Sequence, residues 1–155
     1  YAELHKVNYT HSSAHYNLGF IHMELGLYDV ATNNFSDAIY SNSNFHEAYY
    51  SRGNCFETLG NVLQAEVDYN RAIEINPEFA EAYNNLASSL NPLGKTSKAI
   101  EYCEKAIRLK PNYAEAYNNL GNALNEKGRT EDAIKSFLVE FASTIALITL
   151  LGTLS

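Results

Sequence analysis

Apolar and polar residues follow one another along this chain with a helical period. Between Pro111 and Phe137, Tyr117, Leu120, Gly121 and Leu124 fall at i, i+3, i+4 and i+7 and form one apolar stripe. Glu115, Asn118, Asn119, Asn122 and Glu126 take the opposite side. The pattern predicts a helix buried along one face. Gly128 follows, suited to a left-handed cap, and Thr130, like Thr96 one copy earlier, stands where the N-cap of a second helix is wanted. That second helix continues through Ala133, Ile134 and Phe137, again three and four apart.

The same pattern returns along the chain. The segment from Pro77 to Cys103 is a near copy placed 34 residues earlier, a third copy begins at Asn44, and a looser one at His11. Gly26, Gly60, Gly94 and Gly128 keep the same step, as do Ala31, Ala65, Ala99 and Ala133. Further rows read His15, Tyr49, Tyr83, Tyr117; Leu18, Arg52, Leu86, Leu120; Gly19, Gly53, Ala87, Gly121; and Phe35, Tyr69, Cys103, Phe137. Ser43, Pro77 and Pro111 end successive copies, and a proline there forbids continuation of the second helix. A fixed period in this range is the signature of a repeat architecture. These rows resemble the tetratricopeptide repeat family over roughly residues 12 to 139.

The resemblance implies an all-α fold, a right-handed superhelical solenoid of helix–turn–helix units, about four repeats plus part of a preceding one. The phase divides the chain into 1–11, the remnant of a preceding repeat helix, then repeats at 12–45, 46–79, 80–113 and 114–147, the last with a degenerate second helix, and an apolar tail at 141–155. Helix pairs are expected at about 12–25 and 29–41, 46–59 and 63–75, 80–91 and 97–109, and 114–127 and 131–145. The chain opens in mid-repeat without an initiating Met, as expected for a piece of a longer protein. Pro92 departs from the pattern and predicts a first helix shortened at Asn91, with little effect on function. Glu140 and Ile145 stand where Ala and Pro were due, and the run from Phe141 to Ser155 carries no charge. It reads first as a continued or capping helix or as out-of-family sequence at the end of a fragment, then as an interface for an unmet repeat or a partner, then as an anchor; its 15 residues fall short of the roughly 20 needed to span a membrane. Self-association through this tail is the expectation.

Composition narrows the partners. The net charge is −7, with 18 acidic residues against 11 basic ones, and the isoelectric point is about 5.1. Nucleic-acid binders need clustered Lys and Arg, so a nucleic-acid partner is excluded. No secretory leader opens the chain, and the expected compartment is the cytoplasm. Cys55 and Cys103 read as small core residues. His11, His15 and His22 share a helix side, but His22 lies about 10 Å beyond His15, too far for one tetrahedral ion, so no metal site is read there. HSSAH lacks the Glu of a zinc protease, and no nucleophile elbow or phosphate-cradling loop occurs. No cofactor is called for, and carboxylates such as Glu47, Glu81 and Glu115 recur as a row instead of converging. The sequence therefore reads as a binder, not an enzyme.

In the family that this chain resembles, the face opposite the core stripe lines the concave surface and holds extended peptides. Here that implies Tyr16, Asn17 and Phe20, then Tyr50, Ser51 and Asn54, then Asn84, Asn85 and Ser88, then Asn118, Asn119 and Asn122 as peptide-binding residues, with Glu24, Glu57, Asn91 and Glu126 toward the helix ends. Asn is a mediocre helix former, so a face built of it costs stability and asks for a reason. The expected partner is a protein or peptide, a neutral or basic extended segment. The row Asn17, Asn85, Asn119 also resembles the asparagine ladder of O-GlcNAc transferase, which implies a second reading as the recognition arm of a larger glycosyltransferase; a structural spacer is a third. A dicarboxylate clamp, which grips an acidic C-terminus with Lys and Arg, is not expected, since these faces offer Tyr16, Phe20, Asn84 and Ser88.

Overall fold

The structure, a computed structural model, describes the backbone of residues 2–152 and the side chains of residues 11–142 and 145. Eight helices and no strand occur among the described residues: α1 (Ala2–Glu24), α2 (Tyr28–Ser41), α3 (His46–Thr58), α4 (Val62–Ile75), α5 (Ala80–Leu90), α6 (Thr96–Leu109), α7 (Ala114–Glu126) and α8 (Thr130–Gly152). The chain forms two compact units, Tyr1–Pro77 and Glu78–Ser155. In the first, α1 packs on α2, α2 on α3 and α3 on α4; in the second, α5, α6, α7 and α8 follow the same order, and α5 also touches α7. The fold class is thus the all-α helical solenoid.

Each hairpin turns on a glycine at φ between 72° and 78°, a conformation that costs glycine little. The bonds around it form a Schellman motif. At Gly60, its own N–H donates to the Glu57 carbonyl at 3.0 Å and the Asn61 N–H to the Phe56 carbonyl at 2.7 Å. The residue after each glycine is pinned by that second bond and also serves as the N-cap of the next helix. This corrects the expected caps. Lys95, not Thr96, caps α6 and makes no side-chain capping bond, while Thr96 Oγ1 approaches Glu126 Oε2 at 3.4 Å. Thr130 is likewise already the first residue of α8.

The helix ends agree with the 34-residue phase to within about a residue, except at the two extremes. α1 runs unbroken from Ala2, so the remnant and the first helix of the first repeat are one helix. α8 runs on to Gly152, past the end expected near 145. The reason is common to both. Tyr9 and Ile145 occupy the places that Pro77 and Pro111 hold elsewhere, and nothing there denies the helix an N–H. Where Ser43 replaces the proline, α2 still ends, with the Asn44 N–H donating to Asn42 Oδ1 at 3.1 Å in an Asx turn.

Packing inside each hairpin joins a small residue to a large one 16 positions on. A Cβ built on Gly19 would lie 2.8 Å from the Phe35 ring, on Gly53 2.7 Å from Tyr69, and on Gly121 2.5 Å from Phe137. The glycines are therefore sockets for rings. In the third hairpin the corresponding residues are Ala87 and Cys103, both buried; where the ring has shrunk to a thiol, the socket has filled with a methyl. Cys55 and Cys103 are free thiols. Burial pushes them up to about 11 and about 12, so neither offers a thiolate near neutral pH. Among the described residues no helix is long and apolar enough to cross a membrane.

Candidate functional site

The face read from the sequence divides into two kinds of surface. On the first unit it is aromatic. Tyr16 packs its ring on Phe45 (centroids 4.9 Å apart) and Phe35 (5.6 Å), and its hydroxyl receives a long bond from Ser51 at 3.5 Å. Tyr50 lies tilted against Tyr69 with ring centroids 6.0 Å apart, and the Tyr69 hydroxyl donates toward Asn54 Oδ1 and Glu57 Oε2, each at 2.8 Å. Asn17 and Phe20 are exposed, whereas Ser51 is buried. Ser51 thus supports the face from beneath, and Asn54 is engaged by the ring that fills the Gly53 socket.

On the second unit the face is built of amides. Asn84 is fully buried, which corrects its place on the exposed face. Its role is a relay: Asn119 Nδ2 donates to Asn84 Oδ1 at 2.9 Å, and Asn84 Nδ2 donates to Asn85 Oδ1 at 3.3 Å. A buried amide satisfied in this way costs little, and a chain of amides polarises along its length. Asn85 and Asn119 are half-buried; Ser88, Asn118 and Asn122 are exposed. The bond to Asn84 uses one of the two hydrogens on Asn119 Nδ2 and fixes the orientation of that amide.

Pro92 shortens the first helix of its repeat, as the sequence suggested. α5 ends at Leu90, two residues short of the 13 that α3 and α7 reach. Leu93 bonds back three residues to the Leu90 carbonyl at 3.2 Å, where Leu59 and Lys127 bond back four. Proline has no N–H, so the Ser88 carbonyl loses its helical donor. A cavity of about 180 Å³ lies here, lined by Ala87, Ser88, Asn91, Pro92, Asn119 and Asn122. Asn91 Oδ1 is closed off from solvent and meets no hydrogen-bond partner, a condition that costs about 1–3 kcal/mol. The signal for this cavity was in the sequence: Pro92 interrupts a row that elsewhere reads Glu24, Thr58 and Glu126.

Charge is distributed unevenly. Of the 11 basic residues only Lys6, Arg52 and Arg71 precede Glu78, whereas half of the 18 acidic residues do. Arg52 sits where the repeat places Leu and holds Asp68 by two bonds of 2.7 Å, with its third nitrogen on Ser36 Oγ at 2.9 Å. Arg71 pairs with Glu74. The acidic row is partly spent as well. His46 faces Glu47 at 3.1 Å, and Lys110 holds Glu81 at 2.9 Å. Burial raises the Glu81 carboxyl, but the hydrogen bond and charge of Lys110 outweigh it and leave the group below its ordinary value. Two further histidines make protein contacts: His22 bonds Asn34 at 3.1 Å, and His15 stands 3.9 Å from Asp37. Among the described residues, no three metal-binding side chains converge.

Models of the tetratricopeptide repeat match residues 12–45, 46–79, 80–113 and 102–135. None of the curated proteins matches the chain. Among solved structures, the crystal structure of MamA is similar at 28% identity and a TM-score of 0.83, over 89% of this chain and 81% of that one. YrrB, described as a TPR protein with an unusual peptide-binding site, is similar in fold at 21% identity and a TM-score of 0.74, over 83% and 66%. The first TPR of Spaghetti, solved bound to an HSP90 peptide, is similar in fold at 22% identity and a TM-score of 0.76, over 77% and 95%.

Proposed function

The chain belongs to the tetratricopeptide repeat family, and from that premise we propose that it is a protein–protein interaction scaffold holding extended peptide segments, with the amide face of α5 and α7 as its gripping surface. The observation that carries this reading is the relay through Asn84, which fixes the orientation of Asn119 and ties it to Asn85. Packed helices lie about 8–10 Å apart and an extended chain advances about 3.3 Å per residue, so successive rows keep step with about three ligand residues. A primary amide can meet both N–H and C=O of a peptide whatever its side chains. Within the first unit Tyr16, Phe20 and Tyr50 form an apolar surface of their own, and the absence of Lys and Arg from α5 and α7 favours a neutral or basic ligand on the amide face. These faces also lack the Lys and Arg that an acidic C-terminus would need.

Replacing Asn85 and Asn119 together by Ala is expected to weaken binding of a basic extended peptide five- to a hundredfold, at about 0.5–1.5 kcal/mol for each hydrogen bond lost. Because Asn119→Ala also strips Asn84 of a partner, the variant is compared with Asn122→Ala, whose residue is exposed. Titration against a random-sequence basic peptide library measures both. Unchanged affinity in the double variant removes the ladder. The glycosyltransferase-arm reading would use the same amides and requires a catalytic domain on the same polypeptide, which the parent reading frame reveals.

The apolar stripe of α8 supports self-association. Ile134, Leu138, Phe141 and Ile145 fall at i, i+4, i+7 and i+11, and all are exposed. α6 packs on the helix that follows it, α7, whereas no helix follows α8 among the described residues. Truncation before Phe141 is expected to lower the sedimenting mass at micromolar concentration. An unchanged mass would count against it.

A further inference from the structure

We propose that copies of this chain associate head to tail, α8 of one copy packing antiparallel on α1 of the next in the register that joins successive repeats inside the chain. This rests on the reading of α8 as a self-association surface and names the surface that it meets. Ala14, Leu18 and Ile21 are exposed on α1. The same rows are buried in the fourth repeat, as Ala116, Leu120 and Ala123 on α7, against which α6 packs. α8 shows the other half of that interface. Ile100 and Ile107 are half-buried on α6, whereas their counterparts Ile134 and Phe141 are exposed.

Two side-chain contacts set the register. Arg52 Nη1 donates to Ser36 Oγ at 2.9 Å between α3 and α2, and Thr96 Oγ1 lies 3.4 Å from Glu126 Oε2 between α6 and α7. By the 34-residue step, the row of Ser36 ends at Leu138 and that of Arg52 begins at Leu18. Carried to the ends of the chain, the first contact becomes Leu138 against Leu18 of the next copy, two exposed leucines. The second becomes Thr130 against Glu24, the same two residue types as Thr96 and Glu126. Both lie on one antiparallel register, which sets Ile134 opposite Ile21 and Phe141 opposite Ala14. The helices also match in length. α1 and α8 have 23 residues each, where the other six have 11 to 14. Since the start of α8 lies at the end of α1 in this register, the extra turns of α8 run beside those of α1. The alternatives are less favourable. Two first units brought together would each present nine acidic residues against three basic ones, and among the described helices no two second helices of the repeats pack on each other.

Such a contact is heterologous, so each face needs its complement on another molecule. The test uses the full chain and two variants, Ile21→Glu on α1 and Leu138→Glu on α8. Both positions are more than half exposed, and far-UV circular dichroism verifies that the helices are kept. Mass is read by sedimentation equilibrium at micromolar concentration. The parent chain is expected to associate and each variant alone to sediment as a monomer. An equimolar mixture of the two should recover dimers, because the intact α8 of one variant meets the intact α1 of the other. An Ile21→Glu variant that associates as the parent does overturns the head-to-tail contact while leaving α8 as a self-association surface. Two monomeric variants that stay monomeric on mixing overturn it too. A monomeric parent overturns the α8 reading and the head-to-tail contact together.

Discussion

Replacing Arg52 by Leu is expected to destabilise the first unit by about 3–5 kcal/mol, even though leucine is what the repeat places at that position. The Asp68 side chain is 3% exposed and is held only by the Arg52 guanidinium among the described ion pairs. Two bonds of 2.7 Å to the same carboxylate make a bidentate pair. The guanidinium also lies 5.6 Å from the Tyr49 ring centre and 5.8 Å from that of Phe56, contacts that contribute about 0.5–1 kcal/mol each. Leucine removes the partner and leaves a charge that water cannot reach. The penalty comes from that abandoned carboxylate, not from a large net gain in the intact pair, because a buried pair roughly breaks even against apolar residues. The double variant Arg52→Leu with Asp68→Asn, which reproduces the Leu18 and Asn34 of the first hairpin, should therefore recover most of the loss. Urea midpoints of the two single variants and the double decide it. A single Arg52→Leu variant within about 1 kcal/mol of the parent would refute the account.

The second large effect is expected at the Ala87 and Cys103 pair. Cys103→Phe should cost about 1–3 kcal/mol by overpacking, because at the three glycine sockets an added Cβ meets the partner ring at 2.5–2.8 Å. Ala87→Gly alone should also destabilise, by about 0.5–1 kcal/mol from helix entropy, with a further loss from the void beside a thiol. Together the two changes recreate the Gly19/Phe35 and Gly121/Phe137 pairs and should restore most of the stability. The cycle is expected to show a favourable coupling above about 1 kcal/mol in thermal unfolding. Strict additivity would mean that the two positions do not meet as their counterparts do.

The helices and turns were legible because local rules decide them. A glycine at each 34-residue step supplies the left-handed cap, and proline ends the second helices at Pro77 and Pro111. The absence of proline at Tyr9 and Ile145 was equally visible, and α1 and α8 run through those places. The pairing of Gly with a ring 16 residues on was also present in the rows, although its meaning needed the distance of each built Cβ to the ring. Local pattern could not say that Arg52 would find Asp68. Nor could it say that Pro92, read as a shortening, would line a cavity together with Asn119 and Asn122, or that Asn91 Oδ1 would be buried without a hydrogen-bond partner.

The clearest separation lies in two identical heptapeptides, Ala80–Leu86 and Ala114–Leu120, both AEAYNNL. The sequence by itself determined that each starts a helix with the same face, since periodicity and capping are properties of the segment. It assigned Asn84 and Asn118 the same exposure. In the folded chain Asn84 is wholly buried and Asn118 is exposed. α7 lies against α5 and brings Asn119 to the Asn84 oxygen, while no described helix does the same for α7. Which amide becomes a buried relay and which remains at the surface was decided only by the neighbouring helix, because burial depends on what packs against a residue and not on the residues beside it in the chain.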